Sequence, residues 1–314
     1  MLTRRHIRIK VMQSLYAYRG TESDNFSKDE KFLLHSLDSM YDLYLSIFAL
    51  LTELHKKSVD YNKKIQQTLS NIEEGRNMPS MIESNKVLKI IVSNAKLQEI
   101  IKKRKLNFWD LDFEYVDILF KLINNSSITQ AYAKTGKTSF EADKNLIINI
   151  YSEVIAPNDK LYEYFEDKKL TWVDDLPIVN TAIVKLFRKL KESNPDTFLL
   201  PELYKDEEDR TFATTLLKKT LLNASKFGGE IALKTKNWDA DRLASVDGVL
   251  LKMALCEFQK FPSIPYKVTI NEYLEIAKEY STPKSSIFIN GILDRIIKEY
   301  KEEGLHPKAG RGLL

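Results

Sequence analysis

One cysteine, Cys256, stands in 314 residues, so neither an internal disulfide framework nor a multi-cysteine metal site can form within one chain. It falls inside the apolar run from Leu250 to Phe258, which predicts a buried core thiol rather than a nucleophile. Glycine and proline are also scarce, 10 and 9 residues, and long stretches run without a breaker. That excludes the frequent turns of an all-β chain and points to an all-α class. No apolar run approaches the roughly 20 residues that span a bilayer. Met1-Leu2-Thr3-Arg4-Arg5 leads into a charged helix rather than a cleavable apolar segment, so a cytoplasmic protein without a membrane partner is expected. The four histidines, His6, His35, His55 and His306, are isolated from one another and from acidic pairs at ligand spacing. Walker-type loops and the G-x-G-x-x-G and G-x-S-x-G signatures are missing, and Gly228-Gly229 reads as a helix boundary. With no catalytic assembly, metal site or cofactor motif, the expectation is a non-enzyme.

What is present is enough apolar sequence, 43% of the chain, to bury a sizeable core over two helical domains. The net charge of +4 is a small excess of 48 basic over 44 acidic side chains, so its placement matters more than its size. From Met1 to Thr21 the chain carries Arg4, Arg5, Arg8, Lys10 and Arg19 and no acidic residue.

Thr3 is placed to cap a first helix with the apolar stripe Ile7, Val11, Leu15 and Tyr18, ended by Gly20. A longer helix is expected from Lys28 to Lys57, then a polar connection over 71–82 and another helical stretch to about Leu106. Lys102-Lys103-Arg104-Lys105 reads as a solvated helix end favoured by the macrodipole, with a nucleic-acid patch as the alternative. The segment from Asp143-Lys144 to Trp172 reappears as Asp209-Arg210 to Trp238, suggesting a duplicated helical unit; chance matching of amphipathic helices is the competing reading. From about Asp206, helices are expected at about 207–224, 228–236, 239–260, 267–280 and 284–302, a compact C-terminal bundle, with a frayed tail after Gly304. Asp174-Asp175 and Asp206-Glu207-Glu208-Asp209 stand at predicted helix starts, where negative charge is favourable without any catalytic role.

Recognition at a surface remains. The first helix offers N-terminal N–H groups and the guanidinium forks of Arg4, Arg5 and Arg8 to phosphate oxygens, while Gln13 and Tyr16 suit unpaired RNA bases. An ordinary solvated basic helix end fits the same residues.

Arg4-Arg5-His6-Ile7-Arg8 followed by Gln13-Ser14-Leu15-Tyr16 resembles the arginine-rich first helix of the NusB family. Three further motifs resemble that family in order and spacing: Val246-Asp247-Gly248 through Glu257, Ile264-Pro265-Tyr266-Lys267-Val268-Thr269-Ile270-Asn271-Glu272, and Phe288-Ile289-Asn290-Gly291-Ile292-Leu293-Asp294. Asn271 and Asn290 read as packing hydrogen bonds in preference to RNA contacts, and Gly291 as a point of close helix approach. Ser286-Ile287 replaces a His-Lys pair common in the family, and Lys284 a common acidic residue.

The resemblance implies an all-α, NusB-like helical bundle with an additional inserted helical region. The first helix would occupy 1–19, a helical insertion 20–205 with a degenerate repeat at 140–192, the C-terminal bundle 206–303 and a flexible tail 304–314. It further implies an RNA-binding transcription antitermination factor without catalytic residues. Its partners would be single-stranded boxA-like RNA of ribosomal operons, a NusE-type small-subunit ribosomal protein and the transcription elongation complex. Arg4, Arg5, Arg8, Gln13 and Tyr16 match the RNA-contacting helix, and Asp247, Tyr266 and Lys267 the region near the protein partner. A protein-only helical scaffold and a module related to ribosomal-RNA cytosine methyltransferases are the alternatives; no Rossmann-like segment follows the bundle.

Overall fold

The computed structural model describes residues 1–18, 26–69, 79–136, 139–235 and 246–309, and among them regular structure is helical throughout, with no strand. In chain order the helices are α1 (Arg4–Tyr18), α2 (Phe26–Leu69), α3 (Lys86–Ser93), α4 (Ala95–Lys103), α5 (Phe113–Asn125), α6 (Ser127–Thr135) and α7 (Phe140–Ile150). They continue as α8 (Asp159–Lys168), α9 (Leu176–Lys189), α10 (Glu207–Leu222), α11 (Ala224–Lys234), α12 (Val246–Lys260), α13 (Tyr266–Tyr280) and α14 (Ser285–Glu302). Two compact units form, one from Met1–Leu37 with Leu203–Leu314 and the other from Asp38–Glu202. The division between the two units falls within α2, between Leu37 and Asp38.

The first unit is built on α12. Val249 to Cys256 are buried except at Lys252, and a helix apolar on every side needs neighbours on every side. It packs against α1, α10, α11, α13 and α14. Thr3 starts α1, its hydroxyl accepting the His6 N–H at 3.4 Å, and Ile7, Val11 and Leu15 are buried as the stripe predicts. Gly228 and Gly229 lie inside α11, so the expected helix boundary there is corrected: α11 begins at Ala224. The start expected at 239 falls on residues outside those described.

The tail also departs from expectation. After Gly304, in the left-handed conformation that stops α14, residues up to 309 fold back on the bundle. Tyr266 donates its hydroxyl to the His306 carbonyl at 2.7 Å, the Ala309 N–H bonds the Pro262 carbonyl at 3.0 Å, and Lys308 Nζ caps α12 by donating to the Glu257 and Phe261 carbonyls at 2.9 and 3.0 Å. Hydrogen bonds satisfying the last helical carbonyls explain the order of 304–309; residues 310–314 lie outside those described.

The second unit wraps the later part of α2. From Leu43 to Thr52 every residue is buried. Serines let partners come close to this helix: Trp109 Nε1 donates to the Ser46 carbonyl at 2.9 Å and Trp172 Nε1 to the Ser39 carbonyl at 2.8 Å. The stretch expected as one helix to Leu106 is broken at Asn94, whose side chain accepts the Leu97 N–H at 3.0 Å and starts α4. Among the described residues each repeat segment holds three α-helices in order, α7–α8–α9 and α10–α11–α12, the first with short helical turns at Tyr151–Ile155 and Leu170–Trp172 as well. In each, the leading aspartate is buried near its helix start and accepts from the first residue of another helix. Asp143 takes the Lys86 N–H at 2.8 Å on α3, and Asp209 takes Arg4 Nε at 2.7 Å on α1. Trp172 is buried, while Trp238 lies outside the described residues.

Candidate nucleic-acid interface

At about 100° per residue, Arg5, Gln13 and Tyr16 fall within about 80° of one another on α1, while Arg8 lies about 60° and Arg4 about 100° from Arg5 on the side away from Gln13. The contacts follow that division. Arg8 is 2% exposed, and its Nε and Nη2 donate to the two Glu257 oxygens at 2.7 and 2.9 Å. Glu257 also accepts from Thr269 Oγ1 at 3.1 Å and Tyr273 Oη at 2.7 Å, so the buried carboxylate is fully engaged. The Arg8 guanidinium lies 5.2 Å from the Phe212 ring centre and 5.8 Å from that of Tyr273. Burial works against its charge, but Glu257 outweighs it by Coulomb attraction and hydrogen bonding, holding the Arg8 pKa above its ordinary value. Arg8 is a core ion-pair residue; its expected place among surface phosphate ligands is corrected, because the guanidinium is out of solvent and spent.

Arg4 donates Nη2 to Glu208 at 2.6 Å and Nε to Asp209 at 2.7 Å. Arg5 grips Glu272 with Nε at 3.0 Å and Nη2 at 2.9 Å. Hydrogen bonding from Arg5 pulls the Glu272 carboxyl below its usual range. Both arginines keep part of the side chain in solvent, 33% and 40%, with Nη1 unused in these pairs. They are thus shared between holding α1 and facing outward. Tyr16 is 53% exposed and Gln13 partly so.

The second expected cluster divides as well. Asp247 is 3% exposed and accepts from Ser281 Oγ at 2.6 Å and Ser285 Oγ at 2.8 Å. Its carboxylate ties the first turn of α12 to the α13–α14 loop, so its expected contact with a partner is corrected: it orders that loop from within. Tyr266 is part-buried beneath the returning tail, with the Phe258 ring edge-on at 5.0 Å between ring centres and Lys308 over its face at 4.8 Å. Lys267 is exposed.

Lys267 opens onto a shallow groove of about 320 Å³ between α13 and α14, lined also by Asn271, Asn290, Asp294 and Lys301. Asn271 is exposed and Asn290 donates to Asp294 at 3.2 Å, so among the described residues neither asparagine makes the packing bond expected of it. Gly291 faces open space, with nothing within 4 Å of where a Cβ would sit. Among the described residues the close helix approach expected there is absent, and this exposed mid-helix glycine, which costs about 1 kcal/mol against alanine, leaves a strip without a side chain beside the groove. Sequence reasoning missed the groove and the carboxylates that clamp α1. Glu257 carried a signal: an acidic residue between Cys256 and Phe258 in an apolar helix requires a buried cation.

Among the described residues no group of three or more His, Cys, Asp or Glu side chains is placed to hold a metal ion, and no helix is long and apolar enough to cross a membrane. Cys256 is buried, and burial pushes its thiol up to about 12. The class defined is an all-helical bundle whose basic first helix is clamped by carboxylates of its C-terminal helices.

The family model described as NusB family matches residues 180–298, starting within α9 of the second unit and covering α10 to α13 and most of α14. The transcription antitermination protein NusB of Salinibacter ruber is 40% identical over 112 residues, 36% of this chain and 70% of that protein. The NusB proteins of Chloroherpeton thalassium and Geotalea daltonii are 38% and 45% identical, over 40% and 27% of this chain and 61% and 59% of their own lengths. This chain belongs to the NusB family. No solved structure matches it.

Proposed function

We propose that this protein is a non-catalytic RNA-binding adaptor in transcription antitermination. In this reading it takes single-stranded boxA-type RNA of ribosomal operons together with a NusE-type small-subunit ribosomal protein, within the transcription elongation complex. The observation that carries the reading is 40% identity to a transcription antitermination protein across 70% of that relative's length. The geometry supports a particular surface. On α1, Tyr16 offers an exposed ring for base stacking, Gln13 an amide, and Arg5 the open edge of a guanidinium already oriented by Glu272. Lys267, with the groove it borders, is the exposed part of the partner-facing set.

The test is a titration of labelled boxA-like RNA, with and without the NusE-type protein, at about 50 and 200 mM salt. Tyr16→Ala is expected to weaken RNA binding by about 1–3 kcal/mol, the worth of one stacked base, with no change in folding. RNA affinity that is absent both alone and with the partner overturns the reading in favour of a protein-only scaffold.

A further inference from the structure

Between Lys86 and Lys105 the chain carries seven basic residues, Lys86, Lys89, Lys96, Lys102, Lys103, Arg104 and Lys105, against one acidic residue, Glu99. Two of the seven have carboxylate partners. Arg104 bonds Asp42 at 2.7 Å and Asp38 at 3.1 Å, with Tyr41 beneath it, and Lys86 lies 3.9 Å from Glu192. The side chains of the other five make no ion pair or hydrogen bond among the described residues.

Lys102 and Lys105 line one side of an open cleft of about 510 Å³ between α2 and α4, with Lys56 on α2 and the polar side chains of Gln98 and Asn107 also in its wall. Two acids line the cleft, and both are engaged: Glu53 with Lys56 at 2.7 Å, Asp110 with the Asn107 amide at 3.0 Å. The cleft thus carries three lysines against two acids, and Lys102 and Lys105 have no carboxylate partner among the described residues.

The backbone at Lys105 is informative. The Leu106 N–H bonds the Ile101 carbonyl at 3.0 Å and the Lys105 N–H the Lys102 carbonyl at 3.0 Å, closing α4 with a left-handed residue, Lys105, at φ 57°. Glycine serves that position best, and a residue with a Cβ is strained there. The dipole of α4 accounts for cations at its end in general, but not for a lysine in place of glycine at a cleft wall. Apolar lining is limited to Ala49 and Ile101, which is too little for the core of a protein interface and suits a solvated polyanion.

We propose that this cleft of the second unit is a further RNA contact, in which Lys102 and Lys105, with Lys56, hold phosphate oxygens of single-stranded RNA independently of base sequence. It rests on the reading that the protein binds RNA and adds a site that reading does not contain.

The experiment uses the full chain and a fluorescein-labelled single-stranded RNA of about 25 nucleotides, with anisotropy read at about 50 and 200 mM salt. Lys102→Glu with Lys105→Glu is expected to weaken binding about tenfold or more at the lower salt. The slope of log affinity against log salt should shrink by about 1 to 1.5, since each lost phosphate contact on a single strand removes roughly 0.7. Arginine at both positions keeps the charge and should keep affinity. Lys185→Glu with Lys189→Glu, an equal charge change on α9, should leave affinity within about twofold. Unchanged affinity and slope in the Lys102/Lys105 variant, while the wild type binds RNA, overturns the cleft alone, including the case where that variant loses a protein partner instead. An equal loss in the α9 variant overturns it as mere net charge. A wild type that binds no RNA overturns both readings.

Discussion

Arg4, Arg5 and Arg8 on α1 and Lys102, Lys103 and Lys105 at the end of α4 look alike as sequence, short basic clusters at a helix terminus. Their surroundings are opposite. Each arginine meets a carboxylate from α10, α12 or α13, and Arg8 is buried with Glu257; the three lysines meet none among the described residues and stay exposed. A basic cluster is therefore not a binding surface until the acids that face it are known. Arginine suits the first role because its planar fork makes two parallel bonds to one carboxylate, as at Glu272 and Glu257. Lysine suits the second, since a compact charge on a long stem follows a phosphate chain without fixed geometry.

The largest effect that would break this comparison is at Glu257. Glu257→Ala leaves Arg8 only the longer ion pair from Nη1 to Glu272 at 3.7 Å and removes the acceptor of Tyr273 Oη and Thr269 Oγ1. The expected loss is about 3–5 kcal/mol in urea unfolding; a loss under about 1 kcal/mol would place Arg8 among ordinary surface charges instead. Lys308 sharpens the comparison as an intermediate case, a half-buried lysine that donates to two carbonyls but forms no ion pair among the described residues. Burial lowers its pKa from 10.5 to about 8. Between those values the unfolded chain keeps a proton that the folded chain has lost, so the contribution of Lys308 to stability rises as pH increases from about 8 to 10.5. The stability difference between wild type and Lys308→Met, measured by denaturation across that range, should grow with pH; a flat difference would mean the ammonium is fully solvated. The smallest effect is at Gly291. With open space where its Cβ would sit, Gly291→Ala should raise the stability of the chain by up to about 1 kcal/mol, read as a higher Tm. A lower Tm would show that the strip beside the α13–α14 groove is packed after all.

Much of the fold is legible in the sequence because helical periodicity and capping are local. The stripe Ile7, Val11 and Leu15, the helices expected at about 267–280 and 284–302, and the buried run around Cys256 all follow from spacing and residue type. Gly228-Gly229 misled because glycine only weakens a helix, and packing of Phe227 and Ile231 holds α11 through both. The tail misled because its order depends on acceptors supplied by α12, some 50 positions earlier in the chain. The candidate site was legible only in part. Tyr16 and Lys267 are exposed as a contact requires, whereas Arg8 and Asp247 have the right chemistry and the wrong environment.

By itself the sequence determined the helical class, the absence of recognisable catalytic signatures, and the motifs that place the chain in the NusB family, because composition, periodicity and motif order do not depend on what lies opposite. Which basic side chains remain available was decided only by tertiary structure. A guanidinium taken out of water must be met there by a carboxylate, and that partner arrives from more than 200 positions away, as Glu257 does for Arg8.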